Sequence, residues 1–159
     1  MVVRTYAPRG QTPVLEEYLS RDHLSVIGAV TPEGKSVLKI YDHPISSVEV
    51  IEFLNLLQRY FSGLLTVIWD GSPIHRSKAI HEYLSHGAAK RIHLERLPGY
   101  APELNPTEYV WSYLKKVELA NLSCNTLPEI RIFLNSAKRR LRRKPELLKS
   151  FIQHVGYQV

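Results

Sequence analysis

Two carboxylates carry the clearest chemical signal in this sequence. Asp70 follows an apolar run, LLTVIW at residues 64–69, and precedes Gly71. In open α/β sheets, ligands collect outside the carboxyl ends of strands. Asp-Gly is also ordinary turn chemistry, so Asp70 could simply close a turn. Glu108 lies in ELNPTEYVW, with Asn105 at an N-cap, Pro106 at the first helical position and Glu108 at the third. Asn-x-x-Glu imitates a capping box, and an acid in the first turn complements the helix dipole. The pair says more than either member, because both stand at element ends that a mixed sheet would bring to one edge. Clustered carboxylates bind hard cations through oxygen. Two such cations stabilise the attacking and leaving oxygens of an in-line phosphoryl displacement.

Other side chains near the pair admit more than one role. His75 comes five residues after Asp70 and could touch a phosphate or orient a metal-bound water; it could equally be a packing histidine. Tyr100 and Trp111 could stack on bases. Val110, Trp111, Leu114 and Val117 share helical spacing, which favours core for Trp111. His81, His86 and His93 share no spacing with a carboxylate and receive no metal role.

Charge points to the partner. The chain has 159 residues and a net charge of +6. Residues 1–70 hold six Lys/Arg against eight Asp/Glu, and residues 71–159 hold fifteen against seven. The excess peaks in Lys138, Arg139, Arg140, Arg142, Arg143 and Lys144. Such a run favours a polyanion, because each neutralised phosphate releases condensed counterions; a solvated helix face is the plainer alternative. Arg76, Lys115 and Lys116 join this set of candidate polyanion contacts. With 44% hydrophobic and 23% charged residues the composition is globular. No apolar run approaches the roughly 20 residues needed to span a bilayer, and the N-terminus has no apolar signal region. The single cysteine, Cys124, excludes a disulfide framework. These features fit a cytoplasmic protein.

The elements that must position these groups follow from periodicity. Residues 1–23, punctuated by Pro8, Gly10 and Pro13, read as an extended arm. LSVIGAV (24–30) and KSVLKIYD (35–42) read as a hairpin around TPEG. Val50, Ile51, Leu54, Leu57 and Phe61 define a helix with Ser47 as N-cap and Gly63 as C-cap. Residues 64–69 read as a strand covered on both faces. A helix over 76–86 closes at Gly87, and RIHLERL (91–97) reads as a strand nearer an edge. A rigid loop then leads to a helix from Pro106 to about Leu119. Residues 126–143 and 145–154 give two more helices, separated by Pro145. The order β-β-α-β-α-β-α-α-α implies one layered α/β domain with a mixed sheet: arm, sheet-helix core over 24–119, and basic C-terminal helices over 126–154.

VIWDGSPIHRSKAIHEYL, followed by IHLERLPGYAPELNPTEYVWSYLK, closely resembles the catalytic core of DDE transposases of the mariner-like insertion-sequence superfamily. RTYAPRGQTPVL resembles the segment after that family's first catalytic strand. The resemblance covers essentially the whole chain. It implies a ribonuclease H-like fold, with a mixed β-sheet flanked by helices, and DNA cleavage and strand joining with two Mg²⁺ or Mn²⁺ ions. Asp70 matches the family's second catalytic Asp and Glu108 its third carboxylate, with 37 residues between them. His75 matches a histidine common after the second Asp, and Asn105 and Pro106 match the Asn-Pro preceding the Glu. Gly71 and Ser72 stand where many members have Asn-Ala.

The resemblance departs at the front. The family's first Asp lies on a strand upstream of the RTYAPRGQTP-like segment, and Arg4 is only the fourth residue here. That strand, its Asp and the helix-turn-helix region that reads transposon ends are expected to be missing. In this fold the strand lies between the hairpin and the Asp70 strand, so its loss leaves two neighbours with unpaired backbone groups. The implied protein is the C-terminal catalytic-domain portion of a transposase, inactive alone, whose partners are DNA and either full-length transposase or the product of an upstream reading frame. A truncated remnant, a misplaced start and a frameshift partner are equally compatible with it. The competing class is a non-catalytic DNA-binding or transposase-interacting module that keeps the fold. A weaker third is a nuclease recruiting Asp42 as substitute ligand.

Overall fold

The hairpin forms because two β-branched runs flank a turn in which Gly34 adopts φ +77°, a left-handed conformation that only glycine enters freely. Its strands, β1 (Ser25–Val30) and β2 (Ser36–Tyr41), pair antiparallel with Gly28 opposite Leu38. This computed structural model describes residues 23–99, 101–120, 122, 124 and 126–158. The expected arm, apart from His23, and Tyr100 lie outside the described residues.

Helix α1 (Ser47–Tyr60) buries Val50, Phe53, Leu54 and Leu57. Its N-cap is Ser46 rather than Ser47, because Ser46 closes a complete capping box with Glu49. It ends at an extended Phe61, two residues before Gly63. Strand β3 (Leu65–Trp69) follows and pairs in parallel with β4 (Ile92–Arg96), Trp69 opposite Arg96. Between them lie a 3-10 turn, Pro73–Arg76, and α2 (Lys78–Ser85), capped by Ser77. The expected helix therefore starts two residues later than the sequence suggests, and His75 sits on the tight turn before it. Helix α3 (Pro106–Tyr113) runs into a π-helical turn, Leu114–Glu118; α4 (Leu127–Leu141) and α5 (Pro145–His154) follow.

Neighbouring side chains of a strand point to opposite faces, and β2 shows what this builds. Val37 packs with α1, α2 and β4 in one cluster that includes Leu54, Ile80 and Ile92. Leu38, the next residue, packs with α3, α4 and α5 in another that includes Val110, Leu141 and Leu148. Helices thus cover both faces of the hairpin.

Two expectations change. The mixed sheet is present as two separate two-stranded halves, β1-β2 and β3-β4, with no described strand between them. Strand β3 is covered on one face only. Leu65, Val67 and Trp69 pack against the α1–α2 cluster, whereas Ile68 on the other face is 49% exposed. The helical spacing of Val110, Trp111, Leu114 and Val117 also breaks: Val117 is 59% exposed. The π turn fits an extra residue into the turn, so each residue advances less around the axis, which leaves Val117 outside and brings Glu118 inward.

Candidate active site

Asp70 leaves the end of β3 with its carboxylate held from one side. Oδ1 accepts a hydrogen bond from the Ser72 N–H at 2.9 Å and lies 3.2 Å from His75 Nε2. Both contacts fall on the same oxygen; among the described residues no protein group reaches Oδ2. His75 is itself fixed. Its ring stacks on Trp69 with centroids 4.3 Å apart and planes 20° from parallel. Burial pushes the imidazole below its usual pKa, against the pull of the Asp70 charge, so the neutral form is favoured. Its Nδ1 is buried without a hydrogen-bond partner among the described residues.

Glu108 comes from a different element. Asn105 Oδ1 accepts from the Thr107 N–H at 3.1 Å and the Thr107 hydroxyl at 2.6 Å, which starts α3 and sets the direction of its first turn. The reciprocal half of the capping box does not form: Glu108 is exposed, and its carboxylate makes no hydrogen bond or ion pair among the described residues. Asp70, His75, Asn105 and Glu108 all line one cleft of about 640 Å³, which runs between the two half-sheets. Trp111 lines it too, but its ring packs against the α3–α5 cluster and onto Gly28, as core rather than as a base platform.

Arg96 was legible only as a strand residue. The parallel register sets it opposite Trp69, one position from Asp70. Its guanidinium lies over Gly71 so closely that a Cβ there would fall 2.7 Å from Nη2. Glycine at 71 leaves room for that guanidinium at the end of β3. Asp42, the substitute considered from sequence, pairs with His43 at 3.0 Å and does not line the cleft.

The basic set is less uniform than its sequence run. Glu118, with only 6% of its side chain exposed, holds Arg140 at 2.6 Å and Lys144 at 3.8 Å. Burial raises its pKa, but hydrogen bonds from Arg140 and Tyr113 outweigh that and leave the carboxyl below its ordinary value. Arg142 lies over the Tyr60 ring at 5.9 Å, and Lys138 is half-buried, its ammonium pushed down by burial and by Arg142. Arg139 is exposed, although its Nε reaches the Asn135 carbonyl at 3.4 Å. Arg76, Lys115, Lys116 and Arg143 are exposed and unpaired among the described residues.

The donor chemistry of the carboxylate pair fits a hard divalent cation, since both offer free anionic oxygens. The count falls short: no group of three or more His, Cys, Asp or Glu side chains able to hold an ion occurs among the described residues. A family model described as DDE superfamily endonuclease matches residues 2–131. The chain belongs to this family. No curated protein matches it. Among solved structures, this DDE chain is similar to the Mos1 mariner paired-end complex with Mn (TM-score 0.63, 14% identity, covering 98% of this chain and 51% of that one). It is also similar to the Mos1 paired-end complex with left transposon end (0.59, 16%, 98% and 51%) and to the Mos1 strand transfer complex (0.55, 16%, 100% and 51%). The fold is therefore the ribonuclease H-like one of the mariner catalytic region. The chain spans about half the length of these solved chains. No helix among the described residues is long and apolar enough to cross a membrane.

Proposed function

We propose that this chain is the C-terminal portion of a DDE transposase catalytic domain that cleaves phosphodiesters at a transposon end and directs a 3′-hydroxyl onto target DNA. The observation that carries this reading is the pair of carboxylates with oxygens free among the described residues, Asp70 Oδ2 and Glu108, lining one cleft. Asp70 and Glu108 would hold Mg²⁺ or Mn²⁺. When bound, the cations polarise the phosphoryl group and neutralise charge on the attacking and leaving oxygens.

The chain's own residues prepare that chemistry. Ser72 and His75 fix the Asp70 carboxylate and leave one oxygen available. Asn105 orients the turn that presents Glu108. Arg96 puts positive charge where a phosphate would sit beside Asp70. Arg76, Lys115, Lys116, Arg139 and Arg143 are placed to contact DNA backbone without reading sequence. Arg140, Arg142, Lys138 and Lys144 divide their charge between that role and holding α4 to its neighbours. Among the described residues the pair is not joined by a third metal-binding side chain.

Mn²⁺ titration of the full chain, followed by electron paramagnetic resonance, tests this. Weak binding is expected in the wild type and none in Asp70→Asn or Glu108→Gln. Equal binding in all three sinks the assignment. The exposed cations Arg76, Lys115, Lys116 and Arg143 also favour a second reading, a DNA-binding module without chemistry. Under it, salt-dependent binding to a DNA duplex persists in a Asp70→Ala, Glu108→Ala double variant, and no added transposase restores cleavage.

A further inference from the structure

Helix α5 ends beside the start of α3. The two helices run antiparallel. Lys144, just before α5, donates to the Tyr113 hydroxyl at the end of α3. Further along, the Tyr109 ring lies 6.2 Å from that of Phe151 and 4.8 Å from that of His154. The chain that leaves α5 therefore emerges next to residues 106–108. Its course is set by the backbone. The Gly156 N–H donates to the Gln153 carbonyl at 2.9 Å and the Tyr157 N–H to the Ile152 carbonyl at 3.3 Å, the paired bonds of a Schellman cap. Gly156 takes φ +91°, the left-handed conformation that this cap requires and that glycine adopts without strain. Past the cap, Tyr157 and Gln158 line the same cleft as Asp70 and Glu108. Both lie outside the stretch 2–131 that the family model matches.

Tyr157 differs from the other rings there. Phe53, Phe61, Trp69 and Trp111 also line the cleft, and each packs in one of the two core clusters. Tyr157 belongs to neither cluster and pairs with no ring among the described residues. Its hydroxyl and the Gln158 carboxamide make no hydrogen bond among the described residues. An aromatic face that the core leaves unused is a stacking platform for a nucleobase, and it is sequence-tolerant because every base has such a face. Inside a duplex both faces of a base are covered by its neighbours. The ring therefore selects a base that has left the stack.

We propose that Tyr157 and Gln158 form a nucleotide subsite of the cleft. The Tyr157 ring takes the face of one unstacked base in the DNA strand held at Asp70 and Glu108, and the Gln158 carboxamide donates to the adjoining phosphate. The inference deepens the functional reading above and rests on it for the strand that enters. Stacking and one neutral donor add affinity and fix the position of the strand without reading its sequence.

Two probes test the subsite on the full chain with Ca²⁺ present. One is a short DNA duplex with a single-stranded 3′ overhang. The other is the same duplex with abasic sites throughout the overhang, so that its phosphates remain and its bases do not. Fluorescence anisotropy gives the affinity of each. The wild type should bind the base-bearing overhang about fivefold to a hundredfold more tightly, the range for stacking of one base. Tyr157→Leu, whose apolar side chain still suits the cap, should bind both probes alike, and Tyr157→Phe should recover the difference. The abasic comparison leaves the protein unaltered, so misfolding cannot mimic it. Equal binding of the two probes by the wild type, or a difference that survives in Tyr157→Leu, overturns the proposal. Tyr157→Leu should bind Mn²⁺ as the wild type does. Mn²⁺ binding lost in Asp70→Asn, with no probe difference in the wild type, sinks the subsite alone. A probe difference with Mn²⁺ binding indifferent to Asp70→Asn sinks the metal assignment alone.

Discussion

Two helices of this protein begin with the same spacing and use it differently. Helix α1 begins with Ser46 and has Glu49 three residues later; α3 begins with Asn105 and has Glu108 three residues later. At α1 the box is closed. Glu49 Oε2 accepts the Ser46 N–H at 2.7 Å, and Oε1 lies 3.2 Å from His43 Nε2. The Ser46 hydroxyl and backbone hold its carboxyl down to about 2. At α3 only the forward half forms, and Glu108 faces the cleft with nothing bound. Both acids satisfy the rule for a helix start. Only the one left unspent by its own backbone is available to a ligand.

The comparison can be broken most sharply at Glu108. Glu108→Gln should reduce Mn²⁺ affinity more than about a hundredfold, beyond what loss of an outer-shell partner costs. Its Tm should stay within about 2 °C of the wild type, since no contact is lost. A collapse in Tm would mean that Glu108 is a structural cap after all. His75→Phe keeps a ring against Trp69 and removes the contact to Asp70. Mn²⁺ affinity should fall about tenfold to a hundredfold, the range for a group that orients a ligand; an unchanged value would show that Ser72 alone fixes Asp70.

The α1 end should respond the other way. Ser46→Ala removes a side-chain cap worth about 1 kcal/mol, which lowers Tm by about 2–4 °C in a chain of this size. Mn²⁺ binding should not change. The smallest effect is in acid. Because the folded pKa of Glu49 lies below its unfolded value of 4.5, its contribution is full above that value and is lost as pH falls towards about 2. Glu49→Gln keeps the box, because Gln serves at the third position. It should flatten the stability–pH curve in that window and leave neutral pH nearly untouched. An identical acid limb in both proteins would place the titration elsewhere.

Element order was readable from the sequence because it is local: apolar periods of two and 3.6, and Gly or Pro at their ends. The element order expected from sequence is the order observed, and the two carboxylates singled out from sequence line one cleft. What escaped the sequence is non-local. How the two half-sheets sit across the cleft is set by tertiary packing, and no pattern within 64–69 reports that Ile68 lacks a cover. Arg96 reaches Gly71 only through the parallel register of β3 and β4. The choice between Ser46 and Ser47 as cap, like the different fates of Glu49 and Glu108, turns on side-chain orientation that the shared spacing does not encode.

The single widened turn at Leu114–Glu118 has a consequence for how the molecule tolerates change. Deleting one residue there would restore ordinary pitch and return Val117 to the inside. Glu118 would swing into water, and the two cations it tethers would be cut loose from the last turn of α4 and the loop beyond. Length, more than chemistry, is what selection would guard in that stretch: exchanges of side chain should be forgiven where a shortened codon count is not.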